Sequence, residues 1–75
     1  MEEAKEFLIE NAGRWCHPSE KYRTGTVEYN CLMRNLGRYV GKMLRFGIDV
    51  IDKRVEKTNG KLYLRVKKDD VGRLL

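Results

Sequence analysis

The chain has 75 residues, enough for one small domain, and its 16 lysines and arginines against 11 acidic residues give a formal net charge of +5. No apolar run approaches the roughly 18 residues of a membrane span, and no secretory leader pattern opens the chain. The sequence thus predicts a cytoplasmic domain with no membrane partner. The absence of glutamine and the many charged residues favour a thermophilic source.

The charge is unevenly distributed along the sequence. Residues 1–12 hold four glutamates against one lysine, whereas residues 34–68 hold eleven basic against three acidic residues, a net charge of +8. Such a concentration of positive charge is the electrostatic footprint of a protein that binds nucleic acid. The alternative is a solvated basic surface that only keeps the protein soluble.

The first predicted helix spans Glu3 to Asn11, where Ala4, Phe7 and Leu8 share one face and acidic residues occupy the first turn. Gly13 is placed to end this helix. The helix therefore offers one apolar face to a small core, whose stability depends on compact, local packing.

The connector that follows the first helix contains the only tryptophan, Trp15. We expect this large side chain to fill the core rather than to form an exposed stacking platform. Pro18 suits the first turn of a short helix through Arg23. The triplet Thr24-Gly25-Thr26 predicts a tight turn that caps the next helix.

The stretch from Thr26 to Phe46 predicts a long amphipathic helix. At about 100° per residue, Arg34, Arg38 and Arg45 lie on one arc, with Lys42 at its edge and no carboxylate among them. This pattern indicates a helix that packs on the core by one face and leaves a basic face free. The opposite, apolar arc consists of Tyr29, Leu32, Met33, Leu36, Val40, Met43 and Leu44.

Gly37 and Gly41 lie one turn apart in this helix, on the flank of its basic face. Each glycine costs a helix interior roughly 0.5–1 kcal/mol relative to alanine. One explanation is a close neighbour in the core, or a break in the helix near Gly37. The other is a bare backbone that lets a bulky anionic surface approach.

A change of hydrophobic period after Gly47 predicts an antiparallel hairpin over residues 48–68. Asn59-Gly60 is a strong two-residue turn signal, because a type I′ turn needs positive φ at both positions. With that turn, Arg54 faces Arg65, a mildly unfavourable pair unless an anion bridges it or both side chains turn into water. The apolar face of the hairpin would consist of Ile51, Val55, Leu62, Leu64 and Val66.

This order of elements resembles the winged helix-turn-helix superfamily. The residues that carry the resemblance are Thr26 to Phe46 as recognition helix, Gly47-Ile48-Asp49-Val50 as exit and Asp52 to Lys68 as wing. A narrower likeness, to the C-terminal DNA-binding domains of viral and plasmid primase–helicases, is carried by Trp15-Cys16, Leu36-Gly37-Arg38, Phe46-Gly47 and the basic hairpin. The strand that usually precedes the wing is not visible in the sequence.

The resemblance implies an α+β fold and duplex DNA binding, with a helix in the major groove and the wing along the backbone or minor groove. A transcription regulator and a replication accessory both fit, as do a homodimer and a larger replication or transcription assembly. Asparagine and arginine make bidentate contacts with adenine and guanine, which favours Asn30, Arg34 and Arg38 for base edges. The full set of candidate DNA-binding residues is Asn30, Arg34, Arg38, Lys42, Arg45, Lys53, Arg54, Lys57, Lys61, Arg65 and Lys67.

No catalytic, metal or cofactor site is predicted. His17 and Ser19 are the only residues of their types, so no nucleophile with a base and an orienting partner assembles. Cys16, His17 and Cys31 lack a fourth ligand for zinc. The two cysteines show no pattern of a secreted disulfide scaffold, and free thiols are expected.

Two other binding functions compete with duplex DNA binding. Winged helices also serve as docking domains for proteins, and the acidic first helix suits a basic partner. RNA or single-stranded nucleic acid would instead be bound by stacking on Tyr22, Tyr39 and Tyr63. Exposed tyrosines beside the basic face would favour this reading, and buried ones would not.

Overall fold

The computed structural model describes residues 2–75, which form an α+β fold with a winged-helix layout. The two α-helices and two strands are joined by short connections, and the strands form one antiparallel hairpin. The elements are helix α1 (Glu2–Glu10), a 3₁₀ turn (Pro18–Glu20), helix α2 (Val27–Arg45), strands β1 (Ile51–Val55) and β2 (Leu62–Val66), and a C-terminal 3₁₀ segment (Lys68–Arg73). The C-terminal segment was not expected from the sequence.

The core lies between α1, one face of α2 and the inner face of the hairpin. The buried residues of α2 recur at spacings of three and four, the pattern of a helix with one face on a core. They are Leu32, Leu36, Tyr39 and Met43. The same core cluster includes Ala4, Phe7 and Leu8 of α1 and Ile51, Leu64 and Val66 of the hairpin.

The bounds of α2 confirm the expected caps. The Thr26 side chain accepts a hydrogen bond from the Tyr29 amide at 3.2 Å and donates one to the Arg23 carbonyl at 2.7 Å. Gly47 follows the helix at φ +74°, a left-handed conformation that glycine adopts without steric cost. A capped start and a glycine end thus define this helix.

The buried arc of α2 differs from the predicted one. Tyr39 is 2% exposed, and its hydroxyl donates to the Leu75 carbonyl at 3.1 Å, because the C-terminal residues cover that side of the helix. Met33 and Leu44, expected in the core, are 40% and 46% exposed. The helix is therefore rotated toward α1 and the C-terminus, and one flank of its apolar arc stays open.

Helix α2 runs without a break through Gly37 and Gly41. Apart from the neighbouring helix backbone, nothing lies within 4 Å of the position that a Cβ would occupy at either glycine. Neither a close neighbour in the core nor a helix break therefore explains them. The space next to both glycines is open.

The hairpin forms, but its register lies two residues from the predicted one. Asp52 pairs with Arg65 and Arg54 pairs with Tyr63, so the predicted opposition of two arginines is wrong. Because the shift is two residues, the same side chains still face the core. Only the partners across the strands change.

A four-residue loop, not a two-residue turn, accounts for this register. The Glu56 amide donates to the Lys61 carbonyl at 2.9 Å, and the Gly60 amide donates to the Glu56 carbonyl at 2.8 Å. Gly60 has φ +69°, whereas Asn59 does not have positive φ; the Asn59 side chain accepts a hydrogen bond from the Lys61 amide instead. The loop therefore belongs to the longer hairpin connections, and the type I′ prediction is wrong.

Residues 13–16 pair with the free edge of β2. The Cys16 amide donates to the Leu64 carbonyl at 2.8 Å, the Leu64 amide donates to the Cys16 carbonyl at 3.0 Å, and the Gly13 amide donates to the Val66 carbonyl at 2.7 Å. This short segment thus forms a β-bridge with the hairpin at Cys16 and Leu64, ahead of the strands that the sequence predicts. It is too short to produce an alternating hydrophobic pattern in the sequence.

Trp15 is half-buried outside the core, contrary to expectation. Cys16 points into the core at 2% exposure, and since side chains alternate along an extended segment, Trp15 turns to the other face. The guanidinium carbons of Arg65 and Arg54 lie 4.5 Å and 5.1 Å from the centre of its ring. These distances are in the range of cation–π interactions.

Candidate nucleic-acid interface

The exposed arc of α2 carries four cations whose charges no carboxylate compensates. Arg34, Arg38 and Arg45 are exposed and Lys42 is half-buried. Within residues 2–75, none of them forms an ion pair; the four pairs found involve other cations. The helix itself contains a single carboxylate, that of Glu28 in its first turn. This arc is therefore a site of unbalanced positive charge.

The hairpin adds four lysines without ion pairs in the described part of the chain. Three of them are exposed and one is half-buried: Lys53, Lys57 and Lys67, and Lys61 respectively. Lys53 and Gly37 line the same groove, so strand β1 flanks the open side of α2. Lys53 thus places at least one hairpin cation beside the open side of α2.

Arg54 and Arg65 are engaged within the protein. Arg65 donates to one carboxylate oxygen of Asp52 through Nε at 3.3 Å and through Nη2 at 3.0 Å. Arg54 lies 3.5 Å from a carboxylate oxygen of Glu56. The ion pairs lie within the hairpin, and the contacts with Trp15 connect its outer face to residues 13–16. The correct register would have predicted the pair with Asp52.

An apolar groove of about 390 Å³ lies between α2 and the hairpin. Its only charged lining residue is Lys53. Sequence reasoning missed this groove because it placed the whole apolar arc of α2 in the core. The lining residues are Pro18, Met33, Leu36, Gly37, Val40, Lys53, Leu62 and Leu64.

None of the three tyrosines considered for stacking is exposed. Tyr39 is buried, and Tyr63 is half-buried with its ring 5.4 Å from that of His17. The Tyr22 hydroxyl donates to Glu3 at 2.9 Å, and this hydrogen bond raises the pKa of the phenol. Stacking on single-stranded nucleic acid therefore has no platform among these residues.

His17 and Cys16, two of the residues considered for metal or nucleophilic chemistry, are buried in the fold. His17 is 2% exposed, its Nδ1 accepts a hydrogen bond from the Ser19 amide, and burial, followed by the nearby Lys61, lowers its pKa. Burial also raises the pKa of Cys16 to about 11. Cys16 and Cys31 are free thiols. Among residues 2–75, no three His, Cys, Asp or Glu side chains are grouped to hold a metal ion.

Within the described chain, no helix has the length and apolar character needed to cross a membrane. Comparison of the chain with protein-family models, with curated proteins and with solved structures found no match. A function is therefore inferred from the chemistry of the chain's own residues.

Proposed function

We propose that this domain binds double-stranded DNA through the exposed arc of α2 and the lysines of the hairpin. The observation that carries the proposal is the set of four cations on the outer face of α2 that have no ion-pair partner among residues 2–75, whereas four of the five arginines outside α2 are ion-paired. The major groove is about 12 Å wide and admits an α-helix. The phosphates that border it would supply the missing negative charge.

Arg34 and Arg38 are the best candidates for contacts with base edges. Lys42 and Arg45 lie in the last turn of α2, where cations also stabilise the helix C-terminus. Arg34 and Arg38 lie in the middle of the helix and have no such local role. We assign base edges to these two arginines and to Asn30, because their side chains suit bidentate contacts.

The hairpin lysines and the last turn of α2 would contact phosphates, which position a protein without reading sequence. Arg54 and Arg65 would contribute less, because each would have to leave a carboxylate and the Trp15 ring.

Gly41 lies about 20° from Arg34 around the helix. A glycine there leaves room for the sugar–phosphate surface to approach. Such binding suits a transcription regulator or a replication accessory.

The experiment is fluorescence anisotropy with a labelled DNA duplex at several salt concentrations. Each phosphate contact should contribute a log–log slope of about −0.9. The double variant Arg34→Ala/Arg38→Ala should bind more weakly and with less discrimination between sequences. Arg14→Ala/Arg73→Ala is the matched control, because it also removes two exposed arginine charges, both from outside α2 and the hairpin.

Binding that is absent at low salt, or that does not respond to salt, would contradict the proposal. Equal losses of affinity in Arg34→Ala/Arg38→Ala and in Arg14→Ala/Arg73→Ala would show that only the net charge of the protein matters. Preference for RNA or single-stranded DNA over the duplex would instead support the hypothesis that the domain binds RNA or single-stranded nucleic acid.

A further inference from the structure

Helix α2 carries a second apolar stripe that the core covers only in part. Met33, Gly37, Val40 and Leu44 follow one another at spacings of four, three and four residues. Met33 and Leu44 are largely exposed, and Val40 is only partly buried. The inner face of the hairpin continues this surface with Leu62 and Val55, which are 45% and 61% exposed.

The stripe and the hairpin form the two walls of the groove described above. Pro18 lines one part of the groove, and Gly37 adds no side chain to the wall formed by α2. Since side-chain size at the contact sets how closely two helices pack, a second helix could approach α2 closely at Gly37. The volume of about 390 Å³ is sufficient for several apolar side chains of such a helix.

We propose that this groove docks an amphipathic helix of a partner protein, whose apolar stripe is flanked by acidic residues. Charge complementarity argues for this occupant. Among residues 2–75, Lys53 is the single charged residue that lines the groove, and no carboxylate lines it. On the α2 side, Arg34 lies about 60° beyond Gly37 around the helix. Glutamates or aspartates on both flanks of a docked helix would meet these cations.

The same charges argue against a second copy of this chain in the groove. Two α2 stripes packed on each other would bring the Arg34 and Lys53 side chains of both copies into one interface, where like charges repel. The acidic helix α1 cannot fill the groove of a neighbour either, because Ala4, Phe7 and Leu8 already lie in the core and the exposed Ile9 alone makes no apolar stripe. Duplex DNA offers anionic charge but no apolar stripe to occupy the groove.

The test uses three synthetic peptides of about five helical turns. The first has a leucine and alanine stripe flanked by glutamates, the second replaces the glutamates with lysines, and the third replaces the leucines with serines. Binding is followed by titration of the full chain with isotope-labelled methyl groups. The acidic peptide should bind roughly tenfold more tightly than the basic one, as a few surface charge pairs allow. It should shift the methyl signals of Met33, Val40 and Leu62, and the serine peptide should not bind.

Gly37→Ala provides the variant, and Gly41→Ala the matched control in the same helix. Both substitutions favour the helix and meet no neighbouring atom within 4 Å in the free protein. Only Gly37 lines the groove. Gly37→Ala should therefore weaken the acidic peptide several-fold while Gly41→Ala leaves it unchanged. Met33→Glu, which places an acid in the groove, should abolish its binding.

Several results would overturn the proposal. These are failure of the acidic peptide to bind, tighter binding of the basic peptide, and signal shifts confined to another surface. Self-association of the free chain that Met33→Glu abolishes would assign the groove to a second copy. Duplex DNA that shifts the Met33, Val40 and Leu62 methyls as strongly as the peptide does would assign the groove to DNA instead.

Discussion

Arginines occur in two contrasting surroundings in this small domain. On the outer face of the hairpin, Arg54 and Arg65 each have a carboxylate partner and share the Trp15 ring. On α2, Arg34 and Arg38 are exposed and have no ion-pair partner among the described residues. The comparison shows that a count of basic residues does not identify a binding surface. The cations that remain available to an anionic ligand are those that the fold leaves uncompensated.

The largest expected effect tests which face of α2 supports the fold. Leu32 is fully buried in the core, so Leu32→Ala should lower the free energy of unfolding by roughly 2–4 kcal/mol. Arg38→Ala, on the exposed face, should change it by less than about 0.5 kcal/mol. Chemical denaturation of both variants is the measurement. Equal effects would contradict the assignment of a buried and an exposed face, and a larger loss in Arg38→Ala would mean that the two faces have been exchanged.

The next effect tests the hairpin register, on which the pairing of Arg65 with Asp52 depends. Gly60→Val should destabilise the protein by about 1–2 kcal/mol, because a left-handed conformation is costly for a side chain with a Cβ. Asn59→Ala removes one hydrogen bond to the Lys61 amide and should cost less than about 1 kcal/mol. A type I′ turn would demand positive φ at both positions. Comparable large losses at both sites would therefore favour the two-residue turn.

How far the sequence predicts the molecule depends on the range of the interactions involved. The bounds of α2 follow from the local signals of Thr26 and Gly47, and both are confirmed. The predicted register is wrong because it rests on the local turn signal of Asn59-Gly60, whereas the pairing of Glu56 with Lys61 closes the loop. The place of Trp15 depends on a long-range pairing between residues 13–16 and β2, which no periodicity reveals.

The candidate site also has one part that local sequence patterns predict and another part that depends on long-range packing. A helical wheel identifies the exposed arginines of α2, since exposure follows from the local period of 3.6 residues. The groove beside Gly37 could not be predicted, because it depends on which flank of the apolar arc the hairpin leaves open. The engagement of Arg54 and Arg65 likewise required the register and the position of Trp15.

A smaller effect concerns the stability of the compensated region. Arg65→Ala should lower the free energy of unfolding by about 1 kcal/mol, through loss of a partly exposed ion pair and of a cation–π contact. The predicted opposition of two arginines would have implied a slight gain in stability instead. Thermal and urea unfolding of Arg65→Ala beside Arg38→Ala decide between the two signs. A stabilised Arg65→Ala protein would contradict the observed pairing with Asp52.

The smallest expected effect is a pH dependence of the free energy of unfolding that arises from His17. Burial first, and Lys61 second, lower the pKa of His17 below the ordinary value of 6.5. The unfolded chain therefore binds the proton more readily, and the stability from the neutral ring is complete above pH 6.5 and decreases as the pH falls below it. In His17→Asn, whose amide oxygen can still accept from the Ser19 amide, this part of the pH dependence should disappear. An unchanged pH profile in this variant would assign the effect to another group.

The most direct test of the contrast between the two surroundings is the salt dependence of duplex binding by two single variants. Arg38→Ala and Arg65→Ala each remove one positive charge, but only Arg38 is available to DNA without breaking contacts within the protein. We predict that Arg38→Ala loses roughly 1–3 kcal/mol of binding free energy on a selected site and discriminates less against a scrambled site. Arg65→Ala should lose much less affinity and should discriminate between the two sites as the wild-type protein does. Equal losses in both variants, or a larger loss in Arg65→Ala, would contradict the account.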